Sequence, residues 1–168
     1  VIPAHIDESI HSHEPLKSYA KRMALEKNRA IFNQYPESCV ISADTIVVLD
    51  NELFGKPIDE DDAFRMLKQL SGKTHQVMTA MVIKSAFFEE EVLSITNVSM
   101  TNLTEEEIHA YIKTQEPMDK AGAYAIQGKA GWMIEKIEGD FYSVVGLPLS
   151  QCMMILRKNH VLDLQKAQ

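Results

Sequence analysis

The chain has 168 residues, 45% of them hydrophobic and 24% charged, the proportions of one globular domain with a continuous core. Its 17 Lys and Arg against 24 Asp and Glu leave a formal charge of −7. That argues against a general nucleic-acid binder, which needs a basic face to displace counterions, and no run of about 18 apolar residues offers a membrane span. The two cysteines, Cys39 and Cys152, form neither a disulfide framework nor a metal-binding pair, which fits a reducing cytoplasm.

The chain opens on Val1 rather than Met, and residues 1–6 read as a short extended piece, a strand already under way. Residues 16–35 predict a helix: Leu16, Tyr19, Ala20, Met23, Ala24, Ala30 and Ile31 recur near 3.6 spacing, Pro15 suits the first turn and Pro36 stops it. Two β-branched runs, 39–41 and 46–49, are separated by Ser42-Ala43-Asp44-Thr45, and Asp50-Asn51 is a turn signal. Gly55-Lys56-Pro57 closes the next segment. Residues 59–70 predict a helix whose opening acids complement its dipole, and Gly72 suits the left-handed position beyond its end. Residues 74–87 and 91–100 predict two long antiparallel neighbours. Thr104-Glu105-Glu106-Glu107 has capping-box spacing and opens a helix to about residue 113. From 116 to 146 the pattern breaks, and five of the seven glycines (122, 128, 131, 139, 146) lie there. A last helix runs from 148 to about 157. Alternating strands and helices predict an α/β or α+β domain with one central sheet.

Asp44 interrupts an apolar strand pattern. A buried carboxylate must be paired, metal-bound or at the strand's mouth, so it is either functional or a turn cap. Lys56 lies on a loop twelve residues on, where it either holds a phosphate or is simply solvated. Ser71-Gly72-Lys73-Thr74 imitates the end of a P-loop, but Leu67 stands where the motif needs a glycine and the tetrapeptide follows a helix; it reads as a helix end leading into a strand. The stretch from Asp119 and Lys120 to Gly128 is dense in polar and small residues, which let backbone approach a ligand. Within it Gln127 offers a donor and an acceptor suited to a base edge; the alternative is a tight turn with Asp119–Lys120 as a surface pair. His11 and His13 lack a third ligand nearby. His75 is either an orienting hydrogen-bond partner or a strand residue. No G-x-S-x-G surrounds Ser42, Ser71 or Ser143.

Six blocks taken together resemble the Maf family: Ile41-Ser42-Ala43-Asp44-Thr45-Ile46-Val47, Gly55-Lys56-Pro57, Leu70-Ser71-Gly72-Lys73-Thr74-His75-Gln76-Val77, Glu116-Pro117-Met118-Asp119-Lys120-Ala121-Gly122-Ala123-Tyr124, Ile126-Gln127-Gly128 and Val145-Gly146-Leu147-Pro148. The resemblance covers nearly the whole chain and implies an elongated α/β fold with a mixed, strongly twisted sheet, flanking helices and a cleft between two lobes. It also implies a reaction, hydrolysis of a nucleoside triphosphate between its α and β phosphates with Mg²⁺ or Mn²⁺. By the same resemblance Asp44 is the essential aspartate that activates water or binds metal, and Glu8 a metal-side carboxylate. Lys27 and Lys56 face phosphates, and Thr45 and Gln127 bear on base choice. Asp119 and Lys120 are further candidate substrate contacts. The Asp44-Thr45 pair resembles the branch that prefers dTTP and UTP.

Physical chemistry is consistent with that list. A triphosphate carries about four negative charges, which a metal and lysines must neutralise as pyrophosphate leaves. Hard oxygen ligands without a Cys/His cluster favour Mg²⁺ or Mn²⁺. The family's opening Ser-x-Ser-x-Arg-Arg phosphate loop has no match here, which implies that the chain as written is impaired. The resemblance also implies a homodimer and leaves a second function open, a non-catalytic nucleotide- or protein-binding regulator of septum formation.

Overall fold

Residues 1–162 are described by the computed structural model. The extended piece expected at residues 1–6 takes no part in the sheet. Val1 and Ile2 are exposed, and Pro3 has no ladder donor to give. Helix α1 (Leu16–Phe32) starts after Pro15 as expected but ends three residues early. Residues 33–35 turn instead, with the Gln34 and Tyr35 amides donating to Ile31 O at 3.0 and 3.1 Å.

The two β-branched runs are one strand, β1 (Val40–Leu49), so Asp44 lies within it rather than in a break. The polar residues are tolerated because period-2 alternation turns Ser42 and Asp44 to the same face, where α1 satisfies both. Ser42 Oγ donates to Ala24 O at 2.8 Å, and Asp44 accepts from Lys27. Buried Asn28 extends the seam by donating from Nδ2 to Val40 O at 3.0 Å and to Val82 O at 3.1 Å.

Asp50 and Asn51, at φ 50° and 64°, make a two-residue hairpin turn into β2 (Glu52–Phe54), in register Val47↔Phe54 and Leu49↔Glu52. At three residues β2 is too short to show a period. Asp59 caps α2 (Glu60–Leu70) by accepting from Asp62 N at 2.8 Å, and Gly72 beyond it has φ 68°. Strands β3 (Thr74–Lys84) and β4 (Glu89–Met100) are joined by a hairpin closed by Ser85 N–H to Phe88 O at 2.9 Å. Both arms of the Thr104/Glu107 capping box are made at the start of α3 (Glu105–Ile112).

The glycine-rich region is not wholly irregular. It holds three short 3₁₀ turns (Glu116–Asp119, Ala121–Ala123, Gly131–Met133), then β5 (Ile134–Glu138) and α4 (Phe141–Val145). Strand β5 pairs antiparallel with β4, Val98 opposite Ile137. Helix α5 (Leu149–Lys158) closes the described chain. The strand order is β2-β1-β3-β4-β5, flanked by helices, an α/β fold as expected.

Packing divides the chain into two compact units. One comprises Val1–Asp44, Thr79–Ser94 and the residues from Gly146; the other comprises Thr45–Met78 and Ile95–Val145. The first has a core around Met81, Ile83, Cys152 and Leu156. The second has a larger core that includes Phe54, Leu67, Leu70, Val98, Met100 and Ile108.

In the second core, His75 on β3 is 2% exposed, with Nε2 2.7 Å from the buried Tyr124 hydroxyl and the rings edge to face. Its Nδ1 has no partner among the described residues. Burial lowers the imidazole pKa to about 4, so folded His75 stays neutral while an unfolded histidine binds a proton below about 6.5. The unfolded state therefore binds more protons between those values, and stability falls as pH falls through that window. Relative to a His75→Gln variant, the wild type is expected to lose on the order of 3 kcal/mol between pH 6.5 and 4. Urea unfolding of both proteins across that range checks it; parallel curves would contradict the burial argument.

Candidate functional site

In the first unit, Lys27 of α1 joins two carboxylates. Its Nζ lies 2.6 Å from Asp44 Oδ1 and 2.8 Å from Glu8 Oε1. Asp44 has an 11% exposed side chain, Lys27 22% and Glu8 50%. Burial alone would lower the lysine pKa, but hydrogen bonds to Asp44 and Glu8 outweigh it and the net shift is upward. Lys27 is therefore a firm ammonium at neutral pH.

Glu8 reaches this point although it belongs to no regular element. Tyr19 Oη donates to the Glu8 carbonyl at 2.7 Å, and Arg22 Nη2 donates to Ser9 O at 2.9 Å. Arg22 also forks onto Glu14, Nε to Oε1 and Nη2 to Oε2, both at 2.7 Å. That guanidinium lowers the Glu14 pKa to about 2. One face of α1, at positions 19 and 22, thus holds residues 8–14 against the helix. Burial, followed by the charges of Asp44 and Glu8, raises the Tyr19 pKa and keeps its hydroxyl a donor.

Two carboxylate oxygens converging within 2.8 Å of one cation are a donor set that suits a hard divalent ion. Mg²⁺ is commonly held by one or two carboxylates with waters and phosphate oxygens completing the shell. Among the described residues no cluster of three or more His, Cys, Asp or Glu has metal-holding geometry, and the exposed His11 and His13 join none. Any ion here would rest on Asp44 and Glu8.

In the second unit a separate group forms around a backbone contact. The Gly122 amide donates to Gly55 O at 3.0 Å, which ties the Lys56 loop to the Asp119–Lys120 segment. Gly122 has φ 70°, and a Cβ there would stand 3.0 Å from the Val47 methyls, so glycine is favoured on both counts. Lys120 Nζ is 2.5 Å from Asp119 Oδ1. This bond is the main cause of a lowered Asp119 pKa, to which the Lys56 charge also contributes. Lys56 is exposed. Thr45 follows Asp44 on β1 and points to the opposite face, half-buried. Gln127 is exposed at the tip of a turn closed by Gly128 N–H to Ala125 O at 2.9 Å. Ser71-Gly72-Lys73-Thr74 joins α2 to β3, with Ser71 Oγ accepting from Leu103 N at 2.7 Å, and is a helix end as the sequence implied.

The family model described as "Maf-like protein" matches residues 1–159. The chain belongs to the Maf family. It is 44% identical to a dTTP/UTP pyrophosphatase of Geobacillus sp. (strain WCH70), over 94% of this chain and 85% of the relative. It is 45% identical to one from Thermosipho africanus (strain TCF52B), over 100% and 86%. A third, from Shewanella denitrificans, is 48% identical over 90% and 78%.

In this Maf protein Asp44, Glu8 and Lys27 are brought together, and Lys56, Asp119 and Lys120 form a second group. Sequence reasoning missed Tyr19, Arg22 and Glu14. By spacing alone Tyr19 is part of the apolar face of α1, and Glu14 precedes the helix, so no i,i+4 spacing links it to Arg22.

Lys27→Met keeps the apolar stem and removes the charge, leaving two carboxylates facing each other. We expect a loss of about 1–3 kcal/mol, below the range for fully buried pairs because Glu8 is half exposed, with partial recovery on adding Mg²⁺ or Mn²⁺ by binding linkage. Thermal unfolding in EDTA and in millimolar metal measures both. An unchanged midpoint in EDTA would remove Lys27 as the compensating charge, and no metal response would count against the carboxylate pair as an ion site.

Proposed function

We propose that this chain is a nucleoside triphosphate pyrophosphatase acting on dTTP and UTP, yielding the monophosphate and pyrophosphate with Mg²⁺ or Mn²⁺. The observation that carries the reading is the convergence of Asp44 and Glu8 on Lys27, in a chain whose relatives at 44 to 48% identity bear the name dTTP/UTP pyrophosphatase.

Asp44 serves as the base. Water attacks the α-phosphorus, the bond from that phosphorus to the α,β-bridging oxygen breaks, and the proton passes to the Asp44 carboxylate and then to solvent. Asp44 is mostly buried and fixed on a strand, which suits a group that must hold a water within about 3 Å. Asp44 and Glu8 would hold the divalent ion, which would supply polarisation of phosphoryl oxygens and a lowered pKa for water.

Lys27 faces phosphate once the carboxylates have another cation. Lys56 and Lys120 supply further positive charge for the phosphates, and Asp119 orients Lys120 through their ion pair. Gln127 presents an amide to the edge of the base, with Thr45 contributing to base choice. The cytoplasm suits this protein, whose Cys39 and Cys152 are free thiols.

Asp44→Asn keeps the shape of the side chain and removes the base. It is expected to reduce turnover on the order of 10³-fold, while triphosphate binding persists but weakens through the loss of one metal ligand. Pyrophosphate release across a panel of nucleoside triphosphates with Mg²⁺ or Mn²⁺, beside calorimetric binding, tests this. Release of orthophosphate, or an active Asp44→Asn variant, would defeat the reading. Binding without turnover by the wild type would favour a regulator instead.

A further inference from the structure

Gln127 sits at the tip of an exposed turn, and an exposed amide discriminates between bases only if it is held still. A free side chain on a mobile turn would have to be ordered at each binding event, and selective hydrogen bonding requires placement within about 0.5 Å. The apolar core does not reach this tip, since Gln127, Gly128 and Lys129 are all exposed. The fixing groups are polar.

Buried Tyr111 of α3 and half-buried Glu116 form a short relay, the tyrosine hydroxyl donating to Glu116 Oε1 at 2.9 Å. Each member then takes one end of the turn. The Ala125 amide donates to Tyr111 Oη at 3.2 Å. The Lys129 amide donates to both Glu116 oxygens, at 2.8 and 3.1 Å. Gln127 lies midway between these two anchored residues.

Gly128 packs directly on the same carboxylate, where a Cβ would come within 2.2 Å of Glu116 Oε1. Any side chain at 128 would therefore push the carboxylate away. The base of the relay is rigid: Tyr111 and Ile112 belong to the large core, and Pro117 beside Glu116 is buried. Burial works to raise the Glu116 pKa, but the amide and hydroxyl donors outweigh it and the net shift is downward. An ionised acceptor makes stronger bonds than a neutral one. A charged, half-buried carboxylate is here devoted to one backbone amide and one hydroxyl beside a solvent-exposed glutamine.

We infer that Glu116 and Tyr111 are positioning residues for base selection, acting through Gln127 by clamping both ends of its turn. The inference rests on the pyrophosphatase reading and on the place given there to Gln127. Neither residue is assigned a substrate contact; both act through the turn. Uracil and cytosine differ at position 4, an acceptor in one and a donor in the other, and that difference is what an oriented amide can read.

The test uses the full chain and kinetics with UTP, dTTP and CTP under Mg²⁺, for the wild type, Glu116→Gln, Tyr111→Phe, Gln127→Ala and the double variant Glu116→Gln/Gln127→Ala. Each single relay variant is expected to raise KM for UTP and dTTP several-fold with kcat within about twofold. Each should also shrink the UTP-over-CTP preference about tenfold, the scale of one hydrogen bond. The double variant should show the same preference as Gln127→Ala alone, because a clamp has no effect once its cargo is gone.

Unaltered preference in both relay variants would overturn the inference, as would independent, additive losses in the double variant. Thermal unfolding accompanies the kinetics. If Glu116→Gln does not fold, Tyr111→Phe decides, and failure of both to fold would assign the pair to scaffold alone. A wild type that neither hydrolyses nor binds any triphosphate would refute the pyrophosphatase reading, and this inference with it, whereas an active wild type with indifferent relay variants refutes only the clamp.

Discussion

A carboxylate in the middle of a sheet strand is the constraint that organises the first unit. Asp44 cannot be left uncompensated at 11% exposure, and the nearest compensating cation is on α1. The helix must therefore lie in one register on β1, with Ala24, Lys27 and Asn28 toward the strand. The other contacts of that seam agree, since Ser42 reaches Ala24 O and Asn28 reaches Val40 O and Val82 O. Once Lys27 is in place it demands a second anion, and Glu8 supplies it. Glu8 in turn depends on Tyr19 and Arg22, one turn apart on the same helix. An irregular opening segment is thus fixed by a chain of polar contacts that begins at one aspartate.

The second unit solves a different problem with similar means. Its glycine-rich stretch has little regular structure to satisfy backbone groups, yet buried amides must find partners. Side chains from neighbouring elements provide them. Tyr111 and Glu116 take the Ala125 and Lys129 amides, and His75 meets the Tyr124 hydroxyl. Gly122, at φ 70°, lets the backbone close on Gly55 and Val47 where a side chain would be strained and crowded. In both units, then, polar side chains set the position of segments that hydrophobic burial leaves undetermined.

This division explains what the sequence made legible. Periodicity and caps gave α2 and α3 nearly to the residue, because Asp59, Thr104 and Glu107 act locally. The Asp50-Asn51 turn was readable for the same reason. Strand β2 was not, being three residues long, and β5 was hidden among glycines that signalled loop. The polar interval 42–45 looked like a break in β1 because its partners lie on another element, and no periodicity reports a tertiary hydrogen bond. Lys27 shows the same limit at the site. Its place beside Asp44 depends on helix register, seventeen residues away in sequence. Glu116 appeared in a family block without a role, since the amide it holds lies at 129.

The electrostatics of the Lys27 cluster bear on how an acidic protein accepts a polyanion. Two carboxylates and one ammonium leave a local charge of about −1, which repels phosphate at short range. A divalent ion held by the same two carboxylates turns −1 into about +1 and releases the ammonium from its role as counter-ion. On the proposed reading, the anionic substrate and the metal therefore favour each other's binding, and a net charge of −7 is no obstacle because the relevant field is local. On the same reading, the lysine that stabilises the fold around Asp44 is the group that becomes available to phosphate, so one ion pair would carry both a structural and a chemical role for Lys27.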